Sequence, residues 1–152
     1  MANTNVTNGV LVDGQLTIET KDVSDATPFP MGLFTFTAFE YSLDKFRPGF
    51  FVSCYKDKGL SSERKLIINF PTGQAPVITQ YSEAFTTETN PRPYDFEFIN
   101  CTSNIVTKEI APHKNRYNVI EFNILAKRRD NNETRELAGS GYISITNLVT
   151  SL

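Results

Sequence analysis

An alternation of apolar and polar residues with a period of two recurs along most of this chain and constrains its fold more than any other feature. In the stretch 119–127, one predicted face carries only apolar side chains: Ile120, Phe122, Ile124 and Ala126. The same alternation returns in four further stretches, at 34–38, 50–54, 94–98 and 143–145. Such a period is typical of half-buried β-strands. A slip of one residue would turn every apolar side chain to solvent, so the pattern also specifies the strand register.

The length and the spacing of turn residues predict a single all-β domain. A chain of 152 residues can bury roughly 68–70% of its unfolded surface, which suffices for a hydrophobic core. About eight short strands, spaced by roughly 8–12 residues, suggest a sandwich, a jelly roll or a small barrel, and among these we favour an antiparallel β-sandwich or jelly roll with little helix. We expect this domain to span residues 10–152 and residues 1–9 to form a flexible polar N-terminal arm.

Glycine and proline predict where the first strands begin and end. Asp13-Gly14 can supply the positive φ of a tight turn, so residues 10–19 are expected to form a hairpin. Residues 32–41 follow a proline-rich loop and are predicted to be one strand. Further along, residues 94–99 and 104–110 are predicted to be two separate strands.

The last third of the chain predicts a long antiparallel hairpin. Its strands are residues 117–129 and 135–148, joined by a polar tip at Asp130-Asn131-Asn132. Gly139 and Gly141 lie inside the returning strand, where glycine usually marks a bulge or the close approach of another backbone.

The chain lacks the residues on which common catalytic sites depend. His113 is the only histidine, and no nucleophile elbow, P-loop or dinucleotide fingerprint is present. Asp95 and Glu97 alternate with Phe96, so both carboxylates are expected on one face, as glycoside hydrolysis requires. Acidic residues that alternate with apolar ones are also typical of the solvent-exposed face of an ordinary sheet. We therefore expect no catalytic residues, no enzymatic activity and no cofactor.

Acidic residues near the N-terminus offer oxygen ligands for calcium but not in a known pattern. Asp22 and Asp25 lie close in sequence to Asp13 and Glu19. The twelve-residue loop of an EF-hand is absent. We therefore expect no metal site.

Basic residues gather late in the chain and invite comparison with a phosphate or RNA surface. The cluster is Lys127-Arg128-Arg129, with Lys114, Arg116 and Arg135 nearby in sequence. Neighbouring acidic residues dilute this charge, and the formal net charge is −2. A charged hairpin end that guards an edge strand explains the pattern better, so we expect no nucleic-acid partner.

Targeting and redox features are few. No apolar run approaches the roughly 20 residues of a membrane helix, and residues 1–9 lack a signal peptide. We expect cytoplasmic synthesis and no membrane partner. The final location is left open between free protein and a virion or similar assembly. Cys54 shares its face with Phe50 and Val52 and is expected to be a core thiol, and Cys101 is expected to be reduced as well.

The loop from Asn90 to Tyr94 is the candidate ligand-binding segment. Pro91 and Pro93 stiffen it, and such a frame would present Asn90, Arg92 and Tyr94 to a sugar or a protein surface. The chain contains no tryptophan, which weighs against a lectin.

These observations favour a non-enzymatic structural protein that acts through protein–protein contacts. A homo-oligomeric component of a virion, phage tail or similar particle fits a threonine- and asparagine-rich all-β chain without catalytic groups. The alternative is a lectin-like or peptide-binding module that uses Asn90, Arg92 and Tyr94.

Overall fold

A computed structural model describes residues 5–7, 9–25, 29–84, 94–130 and 132–148. Over these residues it contains ten β-strands and no helix. Numbered in chain order, they are β1 (Asn5–Thr7), β2 (Val10–Asp22), β3 (Phe29–Phe36), β4 (Ala38–Leu43), β5 (Gly49–Lys56), β6 (Arg64–Pro71), β7 (Val77–Glu83), β8 (Tyr94–Ala111), β9 (Lys114–Arg128) and β10 (Thr134–Asn147). The prediction of an all-β antiparallel fold is confirmed, with ten strands rather than about eight.

The strands form one continuous sheet that nearly closes on itself. Its order is β1-β2-β10-β9-β8-β7-β6-β5-β4, with β3 paired to the outer edge of β2. Only Thr37 separates β3, which pairs with β2, from β4, which pairs with β5. The Thr37 backbone N–H donates to the Tyr55 carbonyl at 3.1 Å. The two ends of the sheet are thereby joined into a barrel-like shape, and a two-sheet sandwich or jelly roll is not confirmed.

The hydrophobic core lies inside this nearly closed sheet. Alternate residues of β2 are fully buried, including Val12, Leu16 and Ile18. The short strands face the long ones across the core, since the rings of Phe70 in β6 and Tyr117 in β9 lie 4.6 Å apart between centroids. The core therefore draws on both halves of the chain.

The predicted hairpin at Asp13-Gly14 is wrong. β2 runs unbroken from Val10 to Asp22, and Gly14 lies directly opposite Ile143 of β10. A Cβ at position 14 would come within 2.5 Å of the Tyr142 carbonyl oxygen and 3.3 Å of the Phe39 ring. Glycine is needed here because another backbone approaches closely, not because the chain turns.

The predicted hairpin of the last third is confirmed as β9 and β10, together with its bulge. Gly139 pairs with Phe122 and Gly141 with Val119, so two residues of β9 oppose Ser140 alone. Because of this bulge, the residues of β9 that face the core change from one alternating set to the other. Val119 is consequently buried, whereas Ile120, predicted to face the core, is 54% exposed.

Two other strand boundaries also differ from the predictions. The predicted strand 32–41 is divided at Thr37, where the chain changes its pairing partner. The two strands predicted within 94–110 are one, β8, which turns into β9 through Pro112 and His113. His113 takes a φ of 63°, which suits the third position of a type II turn after proline. No helix long and apolar enough to cross a membrane occurs among the residues described.

Candidate interaction surface

The candidate functional site is the free edge of β8, the stretch 97–111 on the side away from β9. β7 pairs with β8 at only three positions, ending at Tyr81 opposite Phe96. Beyond this point β8 continues alongside β9 to its end, and within the described ranges no other strand pairs with it. Alternate backbone N–H and C=O groups therefore point outward along this edge, as they do on any unpaired strand.

The side chains along the free edge of β8 are mainly small, polar and uncharged, interrupted by exposed apolar groups. The exposed apolar residues are Ile99, Val106 and Ile110, with Ile120 on the neighbouring β9. The register with β9 shifts at three places along β8. Such bulges twist an edge and limit indiscriminate pairing.

A cleft of about 260 Å³ opens where β7 and β8 separate. It is lined by Thr79, Gln80 and Tyr81 from β7, by Asp95, Phe96 and Phe98 from β8, and by Arg129. The Arg129 backbone N–H donates to the Asp95 carbonyl at 3.0 Å and holds the turn after β9 against the start of β8. The cleft thus combines aromatic walls with hydrogen-bonding groups at the root of the free edge of β8.

A buried ionic network lies beneath this junction. The carboxylate of Glu83 accepts hydrogen bonds from the Tyr81 hydroxyl at 2.5 Å and from Arg135 Nε at 3.3 Å. Arg64 Nε lies 3.7 Å from the same carboxylate. Glu83, Arg135 and Arg64 are only 1%, 4% and 6% exposed. Burial, reinforced by the nearby Glu83 charge, raises the pKa of Tyr81 well above its usual value.

Arg135 extends the network to the rim of the barrel. Its guanidinium lies 3.2 Å from the Asp22 carboxylate and donates to Glu133 at 2.8 Å. The pKa of Asp22 is lowered, chiefly by a hydrogen bond from the Ser24 hydroxyl and with help from the Arg135 charge. These contacts fix the start of β10 against the ends of β2 and β7.

The sequence analysis did not identify this network, although a signal was present. In β6, Arg64 belongs to the same alternating, core-facing set of residues as Leu66 and Ile68. In β10, Arg135 belongs to the same core-facing set as Leu137. Glu83 likewise shares the phase of Tyr81. In these three strands the charged residue at the end of the core-facing alternation is buried at the rim of the sheet.

The predicted ligand-binding segment is only partly described. Asn90 and Arg92 lie outside the described residues. Tyr94 begins β8, and the Arg128 guanidinium lies 3.4 Å from the centre of its ring. Arg128 is itself bound to Asp130 at 2.9 Å. One face of the Tyr94 ring is therefore covered and not open for stacking against a sugar.

The other candidate residues are dispersed. Asp95 and Glu97 are exposed on the same face of β8, as predicted. Lys127 and Lys114 occupy opposite ends of β9, about 43 Å apart at the rise of an extended strand, so the basic residues form no continuous strip. His113 lies exposed in the turn beyond that far end.

The carboxylates considered for calcium do not converge. Asp13 and Asp22 lie nine residues apart on the single strand β2, about 30 Å at the usual rise. In the described part of the chain, no three histidine, cysteine or acidic side chains come together to hold a metal ion. Cys54 is a buried free thiol, as predicted, and Cys101 is a half-buried one.

Comparison with known proteins identified no relative of this chain. No family model, no curated protein and no solved structure matches this chain.

Proposed function

We propose that this chain is a non-enzymatic structural protein that assembles with further copies of itself, as components of virions, phage tails and similar particles do. The observation that carries the proposal is the free edge of β8. A strand added there would satisfy outward-facing backbone groups, each hydrogen bond contributing about 0.5–1.5 kcal/mol net. It would also cover Val106 and Ile110, which are exposed in the single chain.

The shape of the edge supports a specific partner over random aggregation. Natural sheets protect edges with short strands, charges and bulges. β8 is 18 residues long, and Lys108 and Glu109 are the only charged residues in its second half. Its three register shifts provide the shape that a matching strand would have to share. A second copy of the chain carries the same shape and can pair isologously about a two-fold axis.

The alternative of a carbohydrate- or peptide-binding module has less support. Tyr94 is the described member of the predicted ligand-binding segment, and Arg128 covers one face of its ring. Stacking of a sugar on that face would require Arg128 to leave both Tyr94 and Asp130. We therefore rank this function second.

The experiment is sedimentation velocity combined with light scattering over a wide range of protein concentration. The wild-type protein should form oligomers. Replacing Val106 and Ile110 together by lysine adds two charges to each copy of the edge and should weaken association at least about tenfold. Leu33→Lys on β3 is the matched control, because Leu33 is exposed and lies on a different strand. A wild-type protein that stays monomeric at every concentration would refute self-assembly.

A further inference from the structure

A second candidate contact surface lies at one end of the barrel, where the loop 44–48 meets the turn 72–76. Phe46, in the first of these segments, is 94% exposed. Phenylalanine is among the residue types most often buried, and aromatic side chains that fill a pocket on a partner often contribute much of the energy of a protein interface.

The loop that carries Phe46 is held by its own hydrogen bonds. Asp44 Oδ1 accepts from the backbone N–H groups of Phe46 and Arg47 at 2.9 and 3.2 Å. The Asp44 N–H donates to the Gly49 carbonyl, which closes the loop. The Thr72 N–H donates to the Pro48 carbonyl at 3.1 Å and ties the loop to the turn after β6. Phe46 is therefore presented in an ordered loop, and little conformational entropy remains to be lost on binding.

A cleft of about 410 Å³ lies beside this loop. Its apolar walls come from Pro48, Phe50, Pro71 and Val77, and its polar rim includes Asp44, Asn69 and Thr79. An apolar cavity of about 150 Å³ already accommodates benzene, so the volume suffices for a phenylalanine ring. Phe46 is not among the residues that line this cleft, which stands open in the described part of the chain.

We propose that Phe46 of one copy inserts into the cleft of a second copy, and the reverse, about a two-fold axis. Phe46, the knob, and the cleft beside it, the hole, belong to one surface patch, which is the arrangement that an isologous dimer requires. The inference rests on the proposed self-assembly and adds a second contact to it. Because the free edge of β8 would form a different two-fold contact, a chain that uses both would extend beyond a dimer.

A membrane is the competing occupant, since Lys45 and Arg47 flank Phe46 as cations flank an interfacial anchor. The cleft favours the second copy, because insertion into lipid makes no use of a hole beside the anchor. The overall charge of −2 also provides no general attraction to an anionic surface.

The test measures dimerisation constants for variants of the knob and of the hole in a chain that also carries the lysine replacements of Val106 and Ile110, so that the free edge of β8 does not contribute to association. Phe46→Ala should weaken association at least about 100-fold, because two buried rings are lost from each dimer. Val77→Lys should do the same by placing a charge in the hole. Leu60→Ala is the matched control, since Leu60 is an exposed residue in the loop that joins β5 to β6, at the opposite end of the barrel. The control should associate like the parent variant that carries only the lysine replacements of Val106 and Ile110.

Mixing the two variants gives the decisive result. A pair of one Phe46→Ala copy and one Val77→Lys copy keeps one intact ring-in-cleft contact. Fluorescently labelled copies should therefore form mixed dimers more tightly than either variant forms dimers with itself. Failure of the mixture to recover association would overturn the inference.

The failure of this inference can be told apart from the failure of the proposed function. If Phe46→Ala associates like the wild-type protein while the lysine variant of Val106 and Ile110 does not, the free edge of β8 assembles alone and the Phe46 contact is wrong. If the wild-type protein is monomeric, both proposals fail. Binding to phosphatidylserine vesicles that depends on Phe46, without association in solution, would assign Phe46 to a membrane instead.

Discussion

Replacement of Glu83 by glutamine tests the buried network most directly. Glu83 is 1% exposed and is the acidic partner that Arg64 and Arg135 share. At an effective dielectric constant of about 20, charges 3.3 and 3.7 Å apart attract by about 5 and 4.5 kcal/mol before desolvation. The change to glutamine removes both attractions and leaves two guanidinium groups buried next to each other.

The expected loss of unfolding free energy is smaller than the gross attraction. Part of that attraction offsets the cost of burying the carboxylate, which glutamine does not incur. Removing one partner of a buried ion pair typically costs about 3–5 kcal/mol, and we expect Glu83→Gln to lie in this range. Glutamine keeps the size of the side chain and can still accept from the Tyr81 hydroxyl, so a cavity does not contribute.

Urea denaturation followed by tyrosine fluorescence measures the effect. For a slope of about 2 kcal/mol per molar urea, the midpoint should fall by about 1.5–2.5 M. Glu97→Gln on the exposed face of β8 is the matched control and should change the unfolding free energy by less than about 0.5 kcal/mol. Equal midpoints for the two variants would show that Glu83 does not hold the arginines, and the reasoning would be wrong.

Three further predictions concern pH, thiol reactivity and backbone fit. Ser24→Ala removes the main cause of the lowered pKa of Asp22, so it should reduce the unfolding free energy above the ordinary pKa of 3.8, with the difference from wild type shrinking as pH falls below it. Iodoacetamide at pH 8 should modify Cys101 in the folded protein and Cys54 only after unfolding, because burial raises the pKa of both thiols but only Cys54 is completely buried. Gly141→Ala should destabilise the protein by more than about 1 kcal/mol, since φ is +151° and a Cβ would lie 2.0 Å from a carbonyl oxygen of β2.

Each of these predictions has its own control. For Ser24→Ala, urea midpoints are compared at several pH values, and a difference from wild type that is constant with pH would contradict the linkage to Asp22. For the cysteines, peptide mass spectrometry locates the label, and early modification of Cys54 would contradict its burial. For Gly141, thermal unfolding of Ser140→Ala provides the comparison, and equal melting temperatures for the two variants would exclude the backbone clash.

Local patterns predicted the parts of the fold that depend on neighbouring residues. The alternation in β5 and β8 placed Cys54 and Phe96 on the buried face, and the tip at Asp130 located the hairpin of β9 and β10. The same local reasoning failed at Asp13-Gly14. A dipeptide suited to a turn is equally suited to a strand that passes close to another backbone, and only the position of Tyr142 distinguishes the two cases.

The chain by itself determined the strand class and, in β5, β8 and β10, which residues face inward, because both depend on a period of two between adjacent residues. The tertiary structure decided which edges stay free and which charges meet. Arg64, Glu83 and Arg135 come from three strands, and the Glu83–Arg135 contact spans 52 positions of the chain. Such contacts and the unpaired edge of β8 follow from the order in which strands pair, which is set by the packing of the whole core and leaves no periodic trace in the sequence.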